Sequence, residues 1–95
     1  MQFMVIERFR NQDARAIYRR LRERGRMMPD GLHFVSSWVA ADLGQCFQLM
    51  ETDDVSLFQR WIASWSDLME FEVISVVPGA KTAEALAGQL DTDSE

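Results

Sequence analysis

Two side chains with the chemistry for catalysis occur once each in this 95-residue chain. His33 could act as a general base or a haem ligand, and Cys46 could act as a nucleophile. Neither belongs to a cluster of His, Cys and acidic residues with metal-ligand spacing, or to a cysteine-enzyme motif. The position of His33 favours an exposed side chain at the start of a strand. The position of Cys46 favours a small residue of the core. The sequence therefore predicts no metal site and no cofactor.

Arg24 is a charged residue that a predicted helix aims at the protein interior. The helix expected over residues 13–24 has one apolar stripe, and Arg24 falls about 20° from the centre of that stripe when counted from Ile17. A buried charge requires a partner. We therefore expect the guanidinium to meet Glu7 or Glu51, or the carbonyl oxygens of the following loop, either as part of a pocket or as an ion pair alone.

Tryptophans and a mid-strand glutamine are candidates for lining a ligand pocket. Trp38, Trp61 and Trp65 could enclose a flat ligand, although the spacing of the last two is equally that of core packing. Gln48 lies among apolar residues and needs a hydrogen-bond partner. The predicted ligand-binding residues are Glu7, Arg24, Trp38, Gln48 and Trp65, and the candidate catalytic residues are His33 and Glu51.

Charge is distributed unevenly along the chain. Residues 1–28 hold eight of the ten basic residues and carry a net charge of +5, whereas the remainder carries −10, which gives −5 in total. Arg15, Arg19, Arg22 and Arg26 are expected on the outer face of the first helix, where a solvated surface is the commoner explanation. The acidic total argues against a general nucleic-acid-binding protein.

Length and composition indicate one small globular domain. The chain is 47% hydrophobic and 26% charged, close to globular averages. No apolar run approaches the length of a membrane span, the N-terminus lacks a secretory pattern, and a single cysteine fits a reducing compartment. We expect a cytoplasmic protein with one domain over residues 1–90 and a flexible acidic tail over 91–95.

Hydrophobic periodicity predicts the element order βαββαβ. Strands are expected over residues 2–9, 31–41, 45–51 and 70–77. Helices are expected over residues 13–24 and 54–68, with a short third helix at about 80–90. This order is the split βαβ pattern of the α+β ferredoxin-like fold, a four-stranded antiparallel sheet with helices on one face.

Both faces of the predicted sheet are apolar. In the second strand, strict alternation places Phe34 and Trp38 on one face and Val35 and Val39 on the other. Two helices cover only one face, and a solvated second face would alternate with polar residues. A second copy of the chain is the simplest cover. We therefore expect a homodimer that packs through the uncovered sheet face.

Several stretches carry a resemblance to a known family over residues 1–78: MVIERFR, RGRMMPDGL, SWV, CFQLMETDD and LFQRWIASWSDL. They resemble the bacterial domain of unknown function 3303 family, which looks like part of the dimeric α–β barrel superfamily. The resemblance implies the strand order 4-1-3-2 and a face-to-face sheet dimer. It implies no activity. The wider superfamily includes cofactor-independent monooxygenases, haem-degrading enzymes, muconolactone isomerases and stress-responsive proteins, and kinship of fold does not transfer function.

Three functions stay open at this level. The first is a homodimeric protein that binds a small organic ligand between sheet and helices. The second is a cofactor-independent monooxygenase or isomerase acting on a small organic acid or aromatic, with His33 or Glu51 as base and Arg24 holding an oxyanion. The third is a purely structural dimer. A pocket of roughly 300 Å³ or more would favour the first two.

Overall fold

The computed structural model describes residues 1–93. Its strands are β1 (Gln2–Phe9), β2 (His33–Val39), β3 (Gln45–Glu51) and β4 (Met69–Val76). Its α-helices are α1 (Ala14–Arg24), α2 (Ser56–Ala63) and α3 (Gly79–Asp93). The order βαββαβ and the four-stranded antiparallel sheet confirm the predicted α+β ferredoxin-like fold.

The sheet has the strand order β2-β3-β1-β4, so β1 and β3 are the central strands. β1 pairs antiparallel with β3 on one side and with β4 on the other. Val5 lies opposite Gln48 of β3 and Val73 of β4. This order agrees with the one that the family resemblance implies.

Local signals set both ends of α1. The Asp13 side chain accepts a hydrogen bond from the Ala16 amide at 3.1 Å, which satisfies one of the free N–H groups at the helix start. At the other end Gly25 has φ of 68°, and its amide donates to the Leu21 carbonyl at 2.8 Å. A left-handed glycine of this kind ends a helix without steric cost.

The second helix is shorter than predicted. α2 ends at Ala63, whereas the apolar spacing predicts a helix to residue 68. Tight turns follow, in which the Ser64 amide donates to the Trp61 carbonyl at 3.0 Å and the Leu68 amide to the Trp65 carbonyl at 2.9 Å. Trp65 is nevertheless buried. The turns therefore bury the same apolar residues without a continuous helix.

α3 is longer than predicted and is exposed to solvent rather than packed on the core. It runs from Gly79 to Asp93, and every residue from 79 to 90 is exposed. The predicted flexible tail, residues 91–95, begins within this helix, and its last two residues lie outside the described part of the chain. No helix within residues 1–93 has the length and apolar character required to cross a membrane.

A β-bulge in β2 places Trp38 on the sheet face opposite to the one predicted. The pairing of β2 with β3 shifts register between Phe34 and Ser36. Phe34 pairs with buried Met50, whereas Trp38 pairs with Phe47 on the opposite face. The prediction that Phe34 and Trp38 share a face is wrong, because one extra residue inverts all later positions of a strand.

The two sheet faces have different surroundings. The inner face packs against the helices, as shown by the edge-to-face contacts of Phe3 with Phe58 and of Phe71 with Trp61. The outer face is uncovered in this single chain. Its apolar residues are Met4, Ile6, Trp38, Phe47, Leu49, Ile74 and Val76.

The Asp13 cap yields a test of the α1 boundary. Replacing Asp13 by Ala should lower the free energy of unfolding by about 1 kcal/mol, because the Ala16 amide loses its acceptor. Asp13→Asn is the matched control and should stay close to wild type, since an asparagine oxygen can cap in the same way. Equal losses for both variants in urea unfolding would contradict the cap.

Candidate functional site

A buried polar pair lies on the inner face of the two central strands. Glu7 of β1 is 2% exposed and Gln48 of β3 is 8% exposed. In the register, Glu7 lies opposite Cys46, so Gln48 is its diagonal neighbour across the two strands. The Gln48 Nε2 donates a hydrogen bond to Glu7 Oε1.

One atom of this pair has no hydrogen-bond partner among the described side chains, those of residues 1–90. The Gln48 amide directs its nitrogen to the carboxylate, which leaves Oε1 buried and without a hydrogen-bond donor. An unpaired buried acceptor costs about 1–3 kcal/mol. Such an atom in a native core calls for an occupant of the adjoining space that can donate a hydrogen bond.

A cavity adjoins the pair between the sheet and α1. Besides Glu7 and Gln48, its lining includes Tyr18 of α1, Trp61 of α2 and Trp65. The cavity has a volume of about 50 Å³ and opens to solvent. A cavity of this size accommodates a water molecule or one polar group of a ligand, and the rest of a larger ligand would lie toward solvent.

Arg26 stands at this cavity because of an unusual loop. The carbonyl oxygen of Arg26 accepts hydrogen bonds from the indole nitrogens of Trp61 and Trp65, each at 3.0 Å. Its guanidinium lies 3.8 Å from the centroid of the Phe34 ring, a cation–π contact. The next residue, Met27, has φ of 57°, a conformation that is rare for a side chain of this kind.

The surroundings of Glu7 shift its acidity. Burial raises the pKa of Glu7 to about 6, because removal from water disfavours the carboxylate. Hydrogen bonds from Gln48 and Cys46 and the positive charge of Arg26 act in the opposite direction and lower the pKa. Glu7 is therefore a carboxyl group that changes charge close to neutral pH.

The neighbouring thiol and phenol are held in their neutral forms. Burial, with the negative charge of Glu7 and the S–H hydrogen bond to it, raises the pKa of Cys46 to about 12. Partial burial also raises the pKa of Tyr18. A thiol with so high a pKa is a poor nucleophile. The favoured prediction for Cys46, a small buried core residue, is confirmed.

The chemistry available to this site is hydrogen bonding and proton transfer. Glu7 can accept a hydrogen bond or a proton, and Gln48 Oε1 can accept a hydrogen bond. Arg26 supplies a positive charge at the cavity lining. Among the side chains of residues 1–90, no group of three or more His, Cys, Asp or Glu residues has a geometry that could hold a metal ion.

The structure brings three of the predicted ligand-binding residues together. Glu7, Gln48 and Trp65 all line the cavity. Trp38 does not, because the bulge in β2 turns it to the outer face, where it is 55% exposed. The role in ligand binding of all four residues stays a prediction.

The inward position predicted for Arg24 is wrong. Burial along the apolar stripe of α1 decreases toward the end of the helix: Ile17 is buried, Leu21 is half-buried and Arg24 is exposed. Helical periodicity gives the direction of a side chain but not the distance from helix to sheet. Neither predicted carboxylate pairs with Arg24 among the described side chains: Glu7 accepts a hydrogen bond from Gln48, and Glu51 accepts one from Gln2 at 2.9 Å.

The two candidate catalytic residues lie elsewhere. His33 and Glu51 pair directly across β2 and β3, and both are exposed. They border a shallow depression of about 310 Å³ together with Asp53 and Asp54. This depression shares no lining residue with the Glu7 cavity.

Sequence reasoning missed Tyr18 and Arg26 as residues of the cavity. Arg26 was expected on the outer face of the first helix, but α1 ends at Arg24 and the loop turns the chain back toward β2. Gly25, the predicted helix stop, was the signal that Arg26 could not continue the helical face. Tyr18, at the edge of the apolar stripe, had no distinguishing signal.

The chain belongs to the family described as Domain of unknown function (DUF3303), whose model matches residues 1–90. This confirms the family resemblance in the sequence. No curated protein and no solved structure gave a significant match to the chain. The site must therefore be interpreted from its own geometry.

Glu7 should make folding stability depend on pH. Its pKa rises from 4.5 to about 6 on folding, so the native state retains a proton that the unfolded chain loses, and the contribution to stability falls as pH rises from about 4.5 through 6. Glu7→Gln keeps a neutral side chain at all pH values. Between pH 4.5 and 7, the free energy of unfolding of the variant, measured with urea, should come to exceed that of wild type by up to about 2 kcal/mol.

The matched control is Glu84→Gln, the same chemical change on the exposed surface of α3. It separates the effect of burial from the loss of one negative charge. A stability difference between Glu7→Gln and wild type that is constant over this pH range would show that Glu7 is not held in a desolvated site.

Proposed function

We propose that this chain forms a homodimer through the outer face of its sheet and binds a small organic molecule in the cavity beside Glu7. The observation that carries the binding proposal is the buried Glu7–Gln48 pair: both residues line a cavity that opens to solvent, and Gln48 Oε1 has no hydrogen-bond partner among the described side chains. The assembly proposed is a dimeric α–β barrel. The location proposed is a reducing compartment, the cytoplasm, where Cys46 stays a thiol.

The composition of the cavity supports binding of an organic molecule. Ligand sites combine apolar and aromatic walls with a few converging polar groups. Here Tyr18, Leu21 and Trp61 supply the walls, and Glu7 and Gln48 supply the polar groups. A core designed only for stability would place apolar residues at both polar positions, because burying a carboxyl group costs folding free energy.

The outer face supports the dimer. Four paired strands of seven to eight residues present a face of roughly 400 Å², which is about the size of the largest apolar patch on a typical protein surface, and such a patch is often functional. Its centre is apolar. Its ends are polar, with the Arg8–Glu72 ion pair at 3.0 Å toward one end and the Gln2–Glu51 hydrogen bond at the other. An apolar centre with a polar rim is the anatomy of a protein interface.

A purely structural dimer is the alternative that the cavity volume favours. The enclosed space of about 50 Å³ is well below the roughly 300 Å³ of a preformed ligand pocket. In that case water fills the cavity and the outer face is the functional surface.

An enzyme, a cofactor-independent monooxygenase or isomerase, is the alternative that the acidity of Glu7 favours. A buried carboxyl group with a pKa of about 6 is suited to accept and return a proton near neutral pH. Glu7 takes the role of base that the sequence suggested for His33 or Glu51.

Adjacent residues on β4 provide a test of the dimer. Ile74 on the outer face is 39% exposed and Val73 on the inner face is 37% exposed. Light scattering of wild type at micromolar concentration should give twice the chain mass of 11.0 kDa. Ile74→Glu should yield the monomer, because a charge at the interface has no partner, whereas Val73→Glu should remain dimeric.

Circular dichroism should first be used to check that both variants are folded, and their masses are then compared. A wild-type monomer would reject the homodimer. Equal dissociation of the two variants would show that the interface is not the outer face.

Native mass spectrometry of freshly purified protein tests ligand binding. Wild type should retain a small organic molecule, and Gln48→Met should lose it, since the substitution removes the buried acceptor at similar volume. The control is Gln59→Met, the same change on the exposed surface of α2. Wild type that carries no organic molecule, under conditions that preserve the dimer, would favour the structural alternative.

A further inference from the structure

We propose that the ligand of the Glu7 cavity carries two polar groups at opposite ends: a hydrogen-bond donor, a hydroxyl or N–H, that enters to meet Gln48 Oε1, and an anionic group that Arg26 holds at the mouth. The inference rests on the proposed binding function and names the chemical class of ligand.

The enclosed end of the cavity selects a donor. Gln48 Oε1 is buried and unpaired among the side chains of residues 1–90, and the amide nitrogen of the same residue donates to the Glu7 carboxylate. The free oxygen and the carboxylate are both acceptors at neutral pH. A ligand carboxylate at this end would be repelled by the Glu7 carboxylate, whereas a hydroxyl or N–H would satisfy the free oxygen. The volume of about 50 Å³ holds a group of that size.

The mouth selects an anion. Arg26 lines the cavity, and its exposed guanidinium stacks on Phe34 without a salt bridge to any carboxylate of residues 1–90. The two indole hydrogen bonds hold only its carbonyl oxygen. The side chain is therefore free to offer its planar fork to a carboxylate, which it can bind through two hydrogen bonds.

Most of the other residues that line the cavity are apolar or aromatic. Tyr18 and Leu21 of α1 border the cavity on one side, and Tyr18 is 46% exposed. A ligand with a flat hydrocarbon or aromatic body between a hydroxyl and a carboxylate would match the residues that line the cavity. The ligand class is therefore a small hydroxy- or amino-substituted carboxylic acid.

Three probes separate the contributions of the two ends: 4-hydroxybenzoate carries both groups, phenol carries only the donor and benzoate carries only the anion. Each is titrated into ¹⁵N-labelled wild type, and dissociation constants are taken from the amide shifts of residues around the cavity. We expect 4-hydroxybenzoate to bind at least tenfold more tightly than either of the other two.

Variants assign each end to its residue. Arg26→Gln should weaken the binding of 4-hydroxybenzoate at least tenfold and leave the affinity for phenol unchanged. Gln48→Met should weaken the binding of 4-hydroxybenzoate by a similar factor and leave the affinity for benzoate unchanged. Arg22→Gln removes an exposed arginine of α1 that does not line the cavity and should change no affinity. The amide spectra of all variants establish that the fold is retained.

The outcomes distinguish this inference from the proposed function. A molecule found by native mass spectrometry that lacks either group, or equal binding of all three probes, would overturn the inference and leave ligand binding intact. Failure of every probe, with no molecule retained by wild type, would overturn both and leave water as the occupant.

Discussion

Glu7 and Gln48 are joined by a hydrogen bond in the middle of a small core, and much of the surrounding structure follows from the need to accommodate it. The two residues lie on the central strands, where the helices exclude water. Burial of an ionisable carboxyl group in so small a domain is unfavourable, as the raised pKa of Glu7 shows. Donors from Gln48 and Cys46 and the nearby positive charge of Arg26 offset part of that cost.

The loop between α1 and β2 links this polar pair to the rest of the fold. Its Arg26 carbonyl anchors the indoles of Trp61 and Trp65, so α2 and the turn after it are fixed relative to the entrance of the cavity. The same residue sends its guanidinium over Phe34 of β2. One residue therefore couples three parts of the chain, and the left-handed backbone of Met27 beside it is a local strain at a candidate functional position.

The two faces of the sheet are suited to different tasks. The inner face combines aromatic packing with a polar pair and a cavity. The outer face has an apolar centre and polar ends, and α3 leaves it uncovered in the single chain. Since alternate residues of one strand serve the two faces, Ile6 and Glu7 are neighbours in the chain but belong to different surfaces. Such an arrangement permits an interface and a binding site to share one four-stranded sheet.

The sequence by itself determined what local patterns report. Alternation and helical spacing predicted the strands to within about two residues and both apolar faces, and the sequence also indicated Glu7, Gln48 and Trp65 as candidates for one ligand site. The family resemblance added the strand order. These features depend on the phase of side chains within single elements, which neighbouring residues establish.

Only the tertiary structure decided the features that depend on distances and register between elements. α1 diverges from the sheet toward its end, so Arg24 is solvent-exposed although its helical phase points inward. A single bulge moves Trp38 to the outer face, and the path of a loop brings Arg26 to the cavity. Each outcome arises from packing between distant segments, and a periodic pattern within one segment contains no measure of that packing.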